Sequence, residues 1–540
     1  MFDGIVSTRY GRVRGVEDGG VWRFSGIPYA AAPVPGGRFL PPAEPESWTG
    51  VRDGSAFGPI APQAQAGPGS YVPGDPTEQA EECRSLNIWT SACDGGRRPV
   101  MVFLHGGAFL SGGGSGVMYR GGVLARRGVV VVTLNYRLGA LGFLAHPGLA
   151  DPGRVGFGNW GLADQLAALG FVRAHAEVFG GDPANVTVFG ESAGAISVCD
   201  LIGMPAAKGL FRRAIVESGV AFAAPPAVAG RIAERLADSL GLKEVSREAF
   251  EAVPLAELIV AQQQVSAGVD AGLGMPFAPV VDGGLLPRHP ADLIAGGASA
   301  GVELLAGTNR DEFKFFSFVA PQIAELDLAG LESLVGRYLR NAGLRRPIDA
   351  SSVVERYGSA RRARGEPAAP LDLLDAIAGD WIFRIPLLRL LDAHRSHTPA
   401  TYAYRFDWES PFAAGALGAC HALELPFVFG SVREPLIGIF AGAGEDALAL
   451  SERMQASWIA FATRGDPSPA GDGTWPRYEA PHRATMVFDR QDRVLRAPQE
   501  EERCFWEEHL GRYGVTGPVE DAEPVDVSFL GPEEGQQPGT

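Results

Sequence analysis

Five apolar, largely β-branched runs constrain this chain most: Val100 to Leu104, Val129 to Leu134, Val186 to Phe189, Val302 to Ala306 and Tyr402 to Phe406. A strand with one wet face alternates polar and apolar residues, whereas these runs are nearly continuous, so each is expected to be covered on both faces. Helical stretches lie between them. Strand and helix in repeated succession predict an α/β fold built on a mostly parallel, doubly wound central sheet, in which ligands bind beyond the carboxyl ends of the strands. Residues 7 to 60 hold short strand-like pieces such as Gly11-Arg12-Val13-Arg14-Gly15 and many prolines, which reads as an antiparallel edge region. Residues 320–380 read as helical, with Leu331, Leu334, Val335 and Tyr338 on one face, and are expected to form a cap or insertion. Residues 1–513 are read as one domain. Residues 514–540, rich in Pro, Gly and acid without Lys or Arg, are read as a mobile tail.

Composition narrows the partners. The 540 residues carry a net charge of −16, which repels nucleic-acid phosphates and anionic membrane surfaces. The amino terminus lacks the basic start and apolar core of a signal peptide, and nowhere do some eighteen apolar residues run together, so a soluble cytoplasmic protein is expected. Cys83, Cys93, Cys199, Cys420 and Cys504 are few, odd in number and never spaced as metal pairs, which points to neither a disulfide framework nor a metal site. Nothing in the sequence calls for a cofactor.

Chemistry enters at Gly190-Glu191-Ser192-Ala193-Gly194, which joins the run Val186 to Phe189 to the small-residue helical stretch Ala195-Ile196-Ser197-Val198. A serine at the apex of a sharp strand-to-helix turn needs small neighbours two residues before and after, where strand and helix approach most closely. Ser192 is therefore a candidate nucleophile. The same spelling recurs in Gly297-Ala298-Ser299-Ala300-Gly301, but there a helical stretch precedes and a strand follows, so Ser299 belongs to the wrong end of the sheet.

A serine hydroxyl needs a histidine to take its proton, and that imidazole needs a carboxylate to fix its tautomer. Asp311 and Glu312 both follow the strand ending near Ala306, and spacing alone does not separate them. His421 lies in the small-residue loop Gly418 to Ala422, after the strand ending near Phe406, whereas His394, His397, His482 and His509 read as solvated. Gly106 and Gly107 directly follow the strand Val100 to Leu104, where backbone N–H groups, with that of Ala193, can meet a developing oxyanion.

Taken with their flanks, these residues resemble the type B carboxylesterase family of large α/β-hydrolases. The likeness runs through Phe24-Ser25-Gly26-Ile27-Pro28-Tyr29-Ala30, Leu86-Asn87-Ile88-Trp89, Asn135-Tyr136-Arg137-Leu138-Gly139, Gly158 to Gln165 and Phe179 to Thr187, and extends to about residue 510. It implies an α/β-hydrolase fold, a triad of Ser192, Glu312 and His421, and an oxyanion hole of Gly106, Gly107 and Ala193. It further implies that Ser218 supports the triad from behind, with Glu191 in the same supporting position, and that Arg38 with Glu81 and Arg137 with Asp164 form structural ion pairs. Two departures matter. Cholinesterase relatives close the loop ending at Cys83 with a disulfide, but Gly58 to Gln63 holds alanine where its partner would stand; and residues 65–80 contain no tryptophan to carry a quaternary ammonium, so choline esters are not the expected substrates.

The sequence thus predicts a serine carboxylesterase acting on small-molecule esters through an acyl-enzyme, without metal, nucleic acid or membrane. Amide, carbamate or thioester hydrolysis by the same groups is the enzymatic alternative, and a non-catalytic binding member of the fold is the alternative of another class. Phe109, Phe315, Phe316 and Phe427 are candidates for an apolar substrate pocket.

Overall fold

A computed structural model describes residues 2–33, 37–64, 78–150, 156–267, 275–320, 323–340, 342–471 and 473–511; the expected tail lies outside the described residues. The strands run in chain order as Ile5–Ser7 (β1), Arg12–Arg14 (β2), Val16–Asp18 (β3), Val21–Pro28 (β4), Val51–Asp53 (β5), Ser85–Thr90 (β6), Arg98–Leu104 (β7), Val130–Leu134 (β8), Gly181–Glu191 (β9), Arg213–Glu217 (β10), Glu303–Asn309 (β11), Thr401–Phe406 (β12), Thr485–Phe488 (β13) and Arg493–Leu495 (β14). Eleven of them form one sheet in the order β14-β13-β12-β11-β10-β9-β7-β8-β6-β4-β3. From β8 to β13 every pairing is parallel, and antiparallel strands close both edges. This is the doubly wound α/β architecture of an α/β-hydrolase. The five apolar runs are β7, β8, β9, β11 and β12, and Val100 to Leu104, Val130 to Leu134 and Val186 to Phe189 are almost fully buried because helices cover both faces.

The amino-terminal region is less uniform than expected. β1 pairs antiparallel with β2, but β2 pairs parallel with β5, so this small sheet is mixed.

Helix Ala193–Gly203 (α1) leaves the top of β9 and packs back on β9 and β10. After β11 comes the short helix Lys314–Phe318 (α2), then Leu328–Arg340 (α3), Ala350–Ala363 (α4) and Pro370–Gly379 (α5). Leu331, Leu334 and Val335 lie on the buried face of α3 as the periodicity predicts, while Tyr338 is only partly buried and Leu339 takes the next buried position. Asp349 caps α4 by accepting from the Ser352 N–H at 2.8 Å. A π-helical turn, Asp380–Arg384, carries α5 into helix Ile385–Arg395 (α6). Helix Pro435–Ala441 (α7) follows the His421 loop, and Glu500–His509 (α8) ends the described chain. These middle helices share an apolar core of their own, which includes Tyr357, Leu374 and Trp381 and is completed by Trp506 from α8.

The two ion pairs hold loops against this frame. Arg137 binds Asp164 through Nε and Nη2, both at 2.7 Å, with each side chain buried, while Arg38 pairs with the partly buried Glu81 at 2.8 Å. All five cysteines are free thiols. His394 is not solvated as its polar surroundings suggested; it is fully buried on α6, its Nδ1 2.9 Å from the Thr401 hydroxyl, because α6 packs on the sheet.

Candidate active site

Parallel strands in one register bring their carboxyl ends to one rim. Leu104 of β7 pairs with Gly190 of β9, Glu191 of β9 pairs with Glu217 of β10, and Glu217 pairs with Gly307 of β11. The segments that follow carry Gly106 and Gly107, Ser192, Ser218, Glu312 and, beyond β12, His421.

Ser192 sits at φ 56°, ψ −123°, in backbone space that a side chain rarely occupies. Its N–H donates to the Glu217 carbonyl at 3.0 Å, and its carbonyl accepts from Ile196 at 2.9 Å, so the turn is held from both sides. Close packing enforces the glycines. A Cβ on Gly194 would stand 2.0 Å from the Leu104 carbonyl oxygen, and one on Gly106 would stand 3.0 Å from the Ser192 Cβ. The β7 loop therefore lies directly against the serine, and α1 begins at Ala193 with its first N–H groups free of intrahelical partners. Ser299, by contrast, is fully buried between helix Pro290–Ala295 and β11.

Of the two neighbouring acids, Glu312 reaches the histidine. Its Oε2 lies 2.7 Å from His421 Nδ1, while Oε1 accepts from the Asn309 N–H at 2.7 Å. Asp311 faces the other way, taking Arg310 and the Ala419 N–H at 2.9 Å, and so anchors the loop that carries His421. The imidazole is buried, and its Nε2 lies 3.0 Å from Glu191 Oε1. Burial works against a charged ring here, yet the carboxylates of Glu191 and Glu312 outweigh it and raise the His421 pKa from 6.5 to about 9. Burial, with Glu312 adding to it against the His421 charge, lifts Glu191 itself to about 7.

Four glutamates, Glu191, Glu217, Glu312 and Glu424, are buried around this point. Glu217 accepts from the Trp458 indole N–H at 2.7 Å, and burial pushes its carboxyl far up. Glu424 takes the Asn309 side-chain amide, which also donates to the Cys420 carbonyl at 2.6 Å; burial first, then Glu191 and Glu312, raise Glu424 to about 8. The sequence reading did not single out Glu424, Asn309 or Glu217. A carboxylate inside the apolar stretch Leu423 to Phe429 was the available signal for the first. Ser218 has φ 55°, donates its N–H to the Gly307 carbonyl at 2.9 Å, and has a buried hydroxyl.

The four candidate phenylalanines divide. Phe109 is fully buried against Phe143, at 4.7 Å between ring centroids, and Phe427 against Phe406 at 5.2 Å. Phe315 packs partly into the core under α2 and meets Phe316 edge-on. Phe316 alone of the four meets the His421 ring, at 5.3 Å; Phe383, on the π-helical turn and not foreseen, meets it at 4.9 Å. A cavity of about 500 Å³ is lined by Glu312 with such charged residues as Asp375, Asp380 and Arg384, and by neither Ser192 nor His421. Among the described residues, no three His, Cys, Asp or Glu side chains are grouped as metal ligands, and no helix is long and apolar enough to cross a membrane.

Known proteins share both sequence and architecture. The chain matches the carboxylesterase family over residues 3–506. It is 37% identical over 506 residues to the para-nitrobenzyl esterase of Bacillus subtilis (strain 168), covering 92% of this chain and 97% of that protein. It is 34% identical over 497 residues to the phenmedipham hydrolase of Pseudarthrobacter oxydans, covering 89% and 94% respectively. Among solved structures, a Geobacillus stearothermophilus carboxylesterase superposes with a TM-score of 0.81 at 37% identity, over 93% of this chain and all (100%) of that one. A PNB esterase structure gives 0.82 at 35% identity, covering 93% and 99%. The chain belongs to the carboxylesterase family and is a carboxylic ester hydrolase of the α/β-hydrolase fold.

Proposed function

We propose that Ser192, Glu312 and His421 form the catalytic triad of a serine esterase acting on small uncharged esters. The observation that carries this reading is the pairing of His421 Nδ1 with Glu312 at 2.7 Å, on the same strand-end rim that carries Ser192 in its strained turn at φ 56°. Ser192 Oγ attacks the ester carbonyl and His421 Nε2 accepts its proton. Glu312 fixes the tautomer and stabilises the imidazolium, and Glu191, on the Nε2 side, adds to that stabilisation. The N–H groups of Gly106, Gly107 and Ala193 receive the oxyanion, each donor worth about 3 kcal/mol of barrier. The proton passes to the departing alcohol, and a water activated by the same imidazole then releases the acid. Phe316 and Phe383, against the imidazole faces, form one wall for an apolar group of the ester.

Residues 1–513 act as one catalytic domain in this reading. A reducing, cytoplasmic setting suits five unpaired thiols, of which Cys83, Cys199 and Cys420 are buried. The test is Ser192→Ala, assayed with p-nitrophenyl acetate and with an organophosphate label. Turnover and labelling should both vanish while the fold persists by circular dichroism. Retained turnover in that variant overturns the assignment.

A further inference from the structure

β11 is apolar through Leu304, Leu305 and Ala306, yet it ends on Asn309, which is only 3% exposed. A buried amide is costly unless its hydrogens find acceptors. Those of Asn309 do: the side chain donates to the Cys420 carbonyl at 2.6 Å and to Glu424 Oε2, and the backbone N–H donates to Glu312 Oε1 at 2.7 Å. The orientation of the amide follows from its partners, because a carbonyl can only accept and so requires the nitrogen to face it.

All three acceptors belong to segments that carry the proposed triad. Glu312 is the acid that meets His421 Nδ1, Cys420 immediately precedes His421, and Glu424 follows it by three residues. One residue at the end of β11 therefore holds the acid and, on either side of the imidazole, the chain that bears the base.

This grip matters because the loop has little of its own to fix it. Residues 416–424 form neither helix nor strand, Gly418, Ala419 and Cys420 are small, and Gly418 and Ala422 hold positive φ angles of 55° and 63°. Backbone groups in such a loop depend on other segments for their partners. Asp311 supplies one attachment, accepting from the Ala419 N–H at 2.9 Å and donating its own N–H to the Ala419 carbonyl at 3.0 Å, but it is itself partly exposed and shared with Arg310 and Lys314. The Asn309 attachment is sealed: Cys420 and Glu424 are fully buried, so bulk water has no access to replace its bonds.

We propose that Asn309 is a positioning residue for ester hydrolysis: its side-chain amide sets the distance and angle at which the His421 imidazole is presented to Glu312 and Ser192. The proposal rests on the triad reading and deepens it. Asn309 acts through the loop and touches none of the reacting atoms. Its two kinds of donor also separate the two halves of the job. Because Glu312 is held by the backbone N–H, replacing the side chain releases the His421 loop while the acid stays anchored.

The experiment compares Asn309→Ala, Glu312→Gln and the double variant, in the full chain, on p-nitrophenyl acetate. A misplacement of about 1 Å in catalytic geometry costs about 10²-fold, so kcat of Asn309→Ala should fall by about that factor while KM stays within about twofold. In the double variant the pairing that Asn309 aligns is already lost, so Asn309→Ala should add less than about threefold to the loss from Glu312→Gln alone. Proton NMR reads the same alignment directly: the low-field resonance of the hydrogen between His421 Nδ1 and Glu312, assigned by its absence from His421→Ala, should move or broaden in Asn309→Ala. The proposal is overturned if kcat falls less than about tenfold, if the loss lies in KM, if the two losses multiply, or if the resonance is unchanged. Should Asn309→Ala not fold, Asn309→Asp, which keeps the shape and exchanges the NH₂ for oxygen, carries the same thresholds; if it does not fold either, the role is structural and the proposal falls. A failed triad reading is distinguishable from these outcomes, since it would leave Ser192→Ala active.

Discussion

Glu191→Gln isolates the electrostatics of the histidine. Two carboxylates face one imidazole, Glu312 at 2.7 Å from Nδ1 and Glu191 at 3.0 Å from Nε2. Burial alone would hold the ring below its ordinary 6.5, but the pair carries it to about 9, a preference for the imidazolium of about 3 kcal/mol at about 1.4 kcal/mol per pKa unit. Glutamine keeps the size of the side chain and removes its charge. If the two carboxylates contribute comparably, its loss returns at least half of that preference, which is about one pKa unit. The sign follows from the chemistry. In the proposed triad only the neutral ring accepts the serine proton, so kcat/KM should rise with pH through the free-enzyme pKa of His421, and lowering that pKa should move the ascending limb toward acid. The assay is kcat/KM for p-nitrophenyl acetate from acid to alkaline pH in both proteins. A limb that stays within about 0.3 of a unit, or one that moves toward alkali, would refute the argument that Glu191 acts on His421 through its charge.

Three further outcomes are expected. Glu312→Gln should lower kcat by about 10³-fold or more, because the amide no longer stabilises the imidazolium; a loss below about tenfold would remove Glu312 from the triad. Gly194→Ala should cost about 3 kcal/mol or prevent folding, since its methyl meets the Leu104 carbonyl oxygen at 2.0 Å, whereas Gly95→Ala, with nothing within 4 Å, should be close to neutral; urea midpoints compare the two. Arg137→Ala leaves the fully buried Asp164 without its cation and should destabilise by about 3–5 kcal/mol, while the double replacement Arg137→Met/Asp164→Leu should recover most of that loss.

Where a side chain's environment is set by its neighbours in the chain, the sequence could be read; where it is set by distant segments, it could not. β7, β8, β9, β11 and β12 were legible because burial on both faces leaves continuous apolar runs. β10 begins and ends with charged residues, Arg213 and Glu217, and escaped that test. Both are buried because partners arrive from elsewhere, Glu303 of β11 for the arginine and the Trp458 indole for the glutamate. The mixed pairing of β2 with β5 and the burial of His394 against Thr401 were hidden for the same reason.

The candidate site divides along this line too. The turn at Ser192 and the glycines after β7 are local geometry, written in a few adjacent residues. The choice between Asp311 and Glu312 is not local, and family likeness rather than spacing pointed to Glu312; in the fold, Arg310 and the Ala419 N–H occupy Asp311 and leave Glu312 facing the imidazole. Phe383 follows the same logic, since it gains its place near His421 only when the π-helical turn has packed on that loop; Glu424 is three residues from His421 in the chain, and what is non-local is its partner, the Asn309 amide of β11. The buried carboxylates are also the costliest feature of the site. Glu191, Glu217 and Glu424 are all held above the usual carboxylate range by burial, a cost that a purely structural core would avoid with apolar residues of similar size. Of these, Glu191 is the one in contact with the imidazole, 3.0 Å from Nε2, and its place there is intelligible if the site must stabilise a positive ring twice in each catalytic cycle, once during acylation and once during deacylation.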